Sequence, residues 1–339
     1  MVAGSRLPMA PKNQKLTHQG PETRFEKVQV VVPVYNDEDT IGDCLRALLV
    51  QDGFSPEIIV VDAGSQDTSS QVVQKIIGEG TGRVRMLSSK QRLNSSEARN
   101  LGLAEVDGNY VCFVDSDVLV PRNWLVSILP YVRDGKSLAS AEVVGGYTSS
   151  IGRKFGLVAK PHLVPWSITS ANLACTTTVI RDLGGFDESI ERAEDFELSI
   201  RAREKGMRLH NVQSVVCDHR DAAIDETRHK IFSSGRSRLD LFLRHPLNLE
   251  LNKEVLASIL FPFVLLVVVG VGYFTGYLPL CLIGVLAAII LWATHLGRSR
   301  FRLKRGFDTV GVIGYYLWLQ LLFAGGCWYQ VFYRISRTM

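Results

Sequence analysis

YVCFVDSD, residues 110–117, has the pattern of a buried strand and the turn after it. An unbroken uncharged run ends in two carboxylates, Asp115 and Asp117. A short continuous apolar run suits a strand buried on both faces, and such strands belong to parallel sheets covered by helices. The chain then emerges at the carboxyl edge of the sheet, where open α/β folds bind ligands. Upstream, VQVVVPVY (28–35) runs into Asn36 and Asp37, EIIVVDAG (57–64) stops at Asp62, and VRMLSS (84–89) gives a shorter strand.

Helical patterns separate these strands. Ile41, Leu45, Leu48 and Leu49 recur at helical spacing over 38–50, and Val72, Val73, Ile76 and Ile77 line one side of a second helix. Asn94 followed by Glu97 predicts a capping box for SSEARNLGLAEV. Repeated strand–helix units predict a Rossmann-like α/β sheet with helices on both faces. Beyond Pro121, WLVSILPYVRD reads as helix and AEVVGGYTS as a strand. Residues 172–181 read as one extended apolar run, 193–206 as a helix ended by Gly206, and NVQSVVCDH as a last strand.

The composition excludes several classes. A formal net charge of +4 is too small for a nucleic-acid binder, and no nucleic-acid motif is present. The cysteines at 44, 112, 175, 217, 281 and 327 never form a close pair, which fits buried small hydrophobes better than a disulfide framework or zinc site. Residues 1–26 lack an apolar core and read as a disordered leader, not a secretory signal.

The last quarter has a different texture. Residues 255–275, 278–295 and 309–332 are uncharged stretches near the ~20 residues needed to cross a bilayer. They predict a C-terminal transmembrane region over 254–339, preceded by amphipathic interfacial helices over 222–253 and a catalytic domain over 27–221. Arg298, Arg300, Arg302, Lys304 and Arg305 place their loop, and the catalytic domain with it, on the cytoplasmic side of the inner (plasma) membrane. Arg334 and Arg337 after a third span run against that rule. Phe232, Leu239, Leu241 and Phe242 among Arg236, Arg238 and Arg244 suggest a helix resting on lipid headgroups or else packed on the catalytic domain.

Four groups of polar residues carry the chemistry. Asp115 and Asp117, one residue apart past a strand end, can hold a hard cation that neutralises a diphosphate; solvated loop residues are the plainer reading. Asp62 suits either a turn carboxylate or an acceptor for a nucleobase N–H, and Arg99 either a solvated face or a contact to base or phosphate. Glu194 and Asp195 open a helix, where acidic residues often only complement its dipole, yet transfer to a hydroxyl needs a carboxylate to take the proton. His219 follows an apolar strand and is open between a local role and a place in the metal shell.

These segments together resemble an inverting family 2 glycosyltransferase of GT-A fold. The resemblance rests on VVVPVYNDEDTIGDCLRALLVQ, IIVVDAGSQDTS, EARNLGLAEVDGNYVCFVDSD, and GGFDE followed by AEDFELSIRAREKG, in that order over 28–220. It implies Pro33, Tyr35, Asp62, Arg99 and Asp115 at the nucleotide, and Asp117 as principal metal ligand with Asp115 and His219 beside it. Asp195 would be general base, with Glu194 next to it. Mg²⁺ or Mn²⁺ and a nucleoside-diphosphate sugar, UDP-linked in preference to GDP-linked, are implied. The stretch GRSRLDLF (235–242) lacks the QxxRW frame of processive synthases, so transfer of one sugar to a lipid-linked glycan or polyprenyl carrier, as in exopolysaccharide assembly, is expected. Other glycan-assembly membrane proteins would be partners. The alternatives are a polyprenyl-phosphate glycosyltransferase, a processive synthase or a silent membrane scaffold.

Overall fold

The computed structural model describes residues 27–145, 157–159, 167–220, 224–246, 249–277, 279, 283–284, 301–303 and 309–338. Its first half alternates β1 (Val28–Val34), α1 (Ile41–Leu49), β2 (Glu57–Asp62), α2 (Ser69–Gly78), β3 (Val84–Ser88), α3 (Ser95–Ala104) and β4 (Tyr110–Val114). There follow β5 (Val118–Leu119), α4 (Trp124–Ile128), β6 (Ser137–Gly145), β7 (Leu157–Ala159), β8 (Asn172–Thr176), α5 (Thr177–Asp182), α6 (Glu194–Glu204) and β9 (Arg208–His219). The remainder is α7 (Ile224–Arg244), α8 (Leu249–Thr275), β10 (Phe301–Leu303) and α9 (Thr309–Thr338).

The main sheet has the order β3-β2-β1-β4-β8-β6-β9-β5. β3, β2, β1 and β4 are mutually parallel, so their carboxyl ends share one edge. β8 is antiparallel to β4, and the short β5 is antiparallel to β9, making the sheet mixed. β7 and β10 form a separate two-stranded pair.

Strand alternation splits the core into two layers. Val28, Val30, Val32 and Val34 of β1 join Tyr110, Cys112 and Val114 of β4 against α1, α2 and α4. Val31, Val111 and Phe113 point the other way, against α3, α5 and α6. Gly102 in α3 permits this second contact: a Cβ there would lie 2.4 Å from Val31 Cγ1. The expected capping box is present, with the Glu97 amide donating to Asn94 Oδ1 at 2.9 Å and the Asn94 amide donating to Glu97 Oε2 at 2.6 Å.

Two expectations need correction. The run 172–181 is not one strand, because β8 stops at Thr176 and α5 begins at once, with Thr176 Oγ1 accepting from the Val179 amide at 3.4 Å. WLVSILPYVRD is helical only over 124–128 and continues as a 3₁₀ turn at Leu129–Tyr131.

The membrane expectation also changes. Residues 255–275 lie in α8 and 309–332 in α9, but among the described residues no helix is long and apolar enough to cross a membrane. Most of 278–295 and the leader 1–26 lie outside the described residues. The apolar side of α7 is covered by protein: Leu241 is buried with Ile190 and Ile200, and Leu239 with Val255, Phe323 and Cys327. Its arginines also meet protein partners, since Arg244 pairs with Asp187 at 2.5 Å and Arg236 lies 3.7 Å from Glu191. Where α7 and α9 cross, glycines admit close backbone approach, and a Cβ on Gly235 would meet the Phe323 carbonyl oxygen at 2.0 Å.

Candidate active site

The site sits where β1, β2 and β4 end. Asp115 follows β4 directly, and its amide donates to the Ala171 carbonyl at 3.1 Å, which fixes where the carboxylate leaves the sheet. Asp117 precedes β5, and β5 pairs with the end of β9 so that Val118 stands opposite His219. This pairing brings a histidine from 102 residues away onto the carboxylates (219 − 117). One ligand atom from each of Asp115, Asp117 and His219 lies within 4.8 Å of the others.

The histidine is oriented for ligation. Its Nδ1 lies 3.0 Å from the Arg220 carbonyl oxygen, which can only accept, so the hydrogen belongs on Nδ1. Nε2 is then left facing Asp117 Oδ1 at 3.4 Å. Two lone-pair-bearing atoms that close suit a shared cation, and an O, O, N donor set fits Mn²⁺, with Mg²⁺ favouring the carboxylates.

Beyond Arg99, α6 starts after Ala193, a non-glycine residue at φ 69°. Such left-handed backbone is costly for alanine and is held only where its surroundings over-determine it. Here it opens the helix that carries Glu194 and Asp195, and Glu194 reaches Arg99 at 2.8 Å. Burial, and next the neighbouring Glu194 charge, push the Asp195 carboxyl up to about 7 against the opposing pull of Arg238 and Arg99. A carboxylate with that value is suited to act as a base near neutral pH.

Arg99 links the two sides. Its side chain is 3% exposed, with Nη2 donating to Asp115 Oδ1 at 2.5 Å and Nη1 to Glu194 Oε1 at 2.8 Å. Burial works against its charge, but the Asp115 and Glu194 carboxylates outweigh this and hold its pKa above the ordinary value. Both terminal nitrogens of Arg99, the residue expected at the nucleotide, thus hold carboxylates at the sheet edge. Glu194 likewise serves as a counterion to Arg99 and accepts from Ser170 Oγ at 3.1 Å.

The nucleotide-side candidates gather at the same edge. Asp62 is buried, with Oδ1 accepting from the Ser65 amide at 2.8 Å and Oδ2 from Ser70 Oγ, so it organises its own turn at the end of β2. Pro33 is half-buried opposite Val61. Tyr35 is half-buried under the Arg92 guanidinium, 4.6 Å from the ring centroid, forming a flat cationic–aromatic surface.

Several contributors escaped the sequence reading. Asp37 lies three residues past Val34, the last residue of β1, so a search just beyond each strand end would have found it. It accepts from Ser116 Oγ at 2.5 Å, and burial raises it to about 6, the Ser116 bond lowering and the Asp117 charge adding. Asn100, beside Arg99, clamps the GGFDE turn: Oδ1 accepts from the Phe186 amide at 2.9 Å and Nδ2 donates to the Phe186 carbonyl at 2.8 Å. Arg238 of α7 stacks 3.6 Å from the Phe196 ring centroid, next to Asp195.

Comparisons with known proteins bear on the domain that carries these residues. Residues 29–169 match the family model described as Glycosyl transferase family 2. The pre-mycofactocin glycosyltransferase of Mycobacterium tuberculosis is 32% identical over 262 residues, covering 72% of this chain and 51% of that protein. The chain thus spans about half the length of that relative. Glycosyltransferase AglE of Haloferax volcanii is 24% identical over 237 residues, covering 66% of this chain and 76% of its own. Among solved structures, a mannosyltransferase of Pyrobaculum calidifontis in complex with GDP-Man and Mn²⁺ superposes with a TM-score of 0.59 at 18% identity, over 90% of this chain and 87% of that one, which is a likeness of fold. Residues 29–169 are thus similar to family 2 glycosyl transferases, and the mixed sheet that carries the strand-end carboxylates is GT-A-like.

Proposed function

We propose that this chain is a metal-dependent inverting glycosyltransferase that moves one sugar from a nucleoside-diphosphate sugar to a hydroxyl on a lipid-linked glycan or polyprenyl carrier at the cytoplasmic membrane face. The observation that carries this reading is the bridging of the two sides of the cleft by Arg99, with Asp115, Asp117 and His219 on one side and Glu194–Asp195 on the other.

In the transfer, the acceptor oxygen forms a bond to the anomeric carbon as the bond from that carbon to the diphosphate oxygen breaks. The leaving electron pair goes to the nucleoside diphosphate, and the acceptor proton goes to Asp195. A cation held by Asp117, His219 and the free oxygen of Asp115 would offset the growing charge on the diphosphate. Tyr35 and Arg92 would receive the base, with Asp62 beneath it. Attack opposite the leaving group inverts the anomeric centre.

Support for a lipid-facing location comes from α8 and α9. Leu266 is 69% exposed, Phe274 88% and Leu321 72%, more bulky apolar surface than a water-facing helix ordinarily shows. The acceptor class rests on this exposure and on the sequence resemblance.

The test is a donor panel of UDP- and GDP-sugars, GDP-mannose included, on detergent-solubilised protein, scored for Mn²⁺-dependent release of nucleotide. Release from at least one donor, abolished by chelation, is expected. Absence of metal-dependent turnover with every donor would refute the reading.

A further inference from the structure

We infer that Asp37 is a positioning residue for the entire metal-ligand set, acting through Ser116 and Arg220 without being a ligand itself. The inference rests on the metal-site reading above and deepens it.

The geometry places Asp37 between the two segments that supply ligands. Ser116 lies between Asp115 and Asp117, is 4% exposed, and donates its hydroxyl to Asp37 Oδ2 at 2.5 Å. That bond sets the rotation of the Asp115–Asp117 segment, so both carboxylates depend on it. The other oxygen, Oδ1, accepts from Arg220 Nη2 at 3.5 Å. Arg220 in turn is the joint of the second segment. Its amide donates to the Asp117 carbonyl at 3.0 Å, and its carbonyl accepts from His219 Nδ1 at 3.0 Å.

One carboxylate therefore touches both the residue between the aspartate ligands and the residue that orients the histidine. Asp37 is itself held from behind. Its amide donates to Ser69 Oγ at 2.9 Å, at the head of α2. The preceding Asn36 takes a left-handed φ of 53°, with its Oδ1 accepting from the Gln66 amide at 2.8 Å. Non-glycine backbone of this kind persists where neighbours hold it, and here it turns Asp37 back across the ends of β1 and β4. Partners that orient metal ligands govern affinity, and their loss weakens metal binding by about 10–100-fold.

The experiment is Mn²⁺ binding followed by electron paramagnetic resonance on the full chain, with saturating UDP and again with saturating GDP. Wild type should bind Mn²⁺ with one of these nucleotides. In Asp37→Asn the Mn²⁺ dissociation constant should rise about tenfold. Ser116→Ala, which changes no charge, should shift it in the same direction, and circular dichroism melting should show both variants folded. The double variant Asp37→Asn/Arg220→Gln should be no weaker than the sum of independent effects would give, because both act through one contact. Unchanged Mn²⁺ affinity in folded Asp37→Asn and Ser116→Ala would overturn the inference while leaving the metal site intact. Absence of Mn²⁺ binding in wild type with either nucleotide would overturn the metal reading and the inference together.

Discussion

Nη1 of Arg99 lies 2.8 Å from Oε1 of Glu194, and the same guanidinium reaches Asp115. A single buried cation thus holds Asp115, of the Asp115–Asp117–His219 group, beside Glu194, the neighbour of Asp195. Removing it would leave two carboxylates facing each other without a counterion. Arg99→Ala is expected to destabilise the folded chain by about 3–5 kcal/mol. Denaturant unfolding checks this. A variant of normal stability that had lost only nucleotide affinity would contradict this and favour the nucleotide contact expected from sequence.

The pH dependence follows from Asp195, whose carboxyl is raised from 3.8 to about 7 by burial and by Glu194. The base must be ionised to accept a proton, so the rate should climb with pH through about 7 and level off above it. Stability runs the opposite way. The folded chain holds this proton more tightly than the unfolded chain does, so the contribution is complete below the unfolded pKa and is lost as pH rises through the folded one. Thermal melts should therefore show a decline between pH 4 and 7 that is reduced in Asp195→Asn. An identical decline in that variant would contradict the assignment.

Metal removal should stop turnover, and added Mn²⁺ should restore it. Asp117→Ala and His219→Ala should each weaken Mn²⁺-dependent nucleotide binding by ~10-fold or more, since ligands matter at least as much as the groups that orient them. Calorimetric titration of nucleotide with and without Mn²⁺ measures this. Wild-type affinities in both variants would remove them from the metal shell.

Gly102 tests how the site is carried by the fold. A methyl group there would collide with Val31, a fully buried residue of β1, and push α3 outward together with Arg99 and Asn100. Gly102→Ala is expected to cost roughly 1–3 kcal/mol, read from denaturant unfolding. Unchanged stability would mean that α3 can shift without strain.

Much of this was legible locally. β1, β2 and β4 could be read because a strand buried on both faces writes itself as an unbroken apolar run, and Asp62, Asp115 and Asp117 because each sits where such a run stops. The capping box at Asn94 and Glu97 is equally local. What failed to show was what depends on distant partners. Arg99 carries a charge that sequence cannot assign inward or outward, and its partner Glu194 lies 95 residues away. Asp37 meets Ser116 across 79 residues and Arg220 across 183. The arginines of α7 left a membrane surface and packing on the catalytic domain both open, because their partners Asp187 and Glu191 belong to a loop far back in the chain. At 172–181 the apolar run hid a helix start that only the Thr176 cap reveals.

The whole account requires a proton acceptor on the α6 side of the cleft, opposed to a cation near β4. The direct measurement is Asp195→Asn, assayed for sugar transfer and, in parallel, for Mn²⁺-dependent donor binding. Transfer should fall on the order of 10²-fold or more while donor affinity stays at the wild-type level. Transfer near the wild-type rate in that variant would contradict the mechanism.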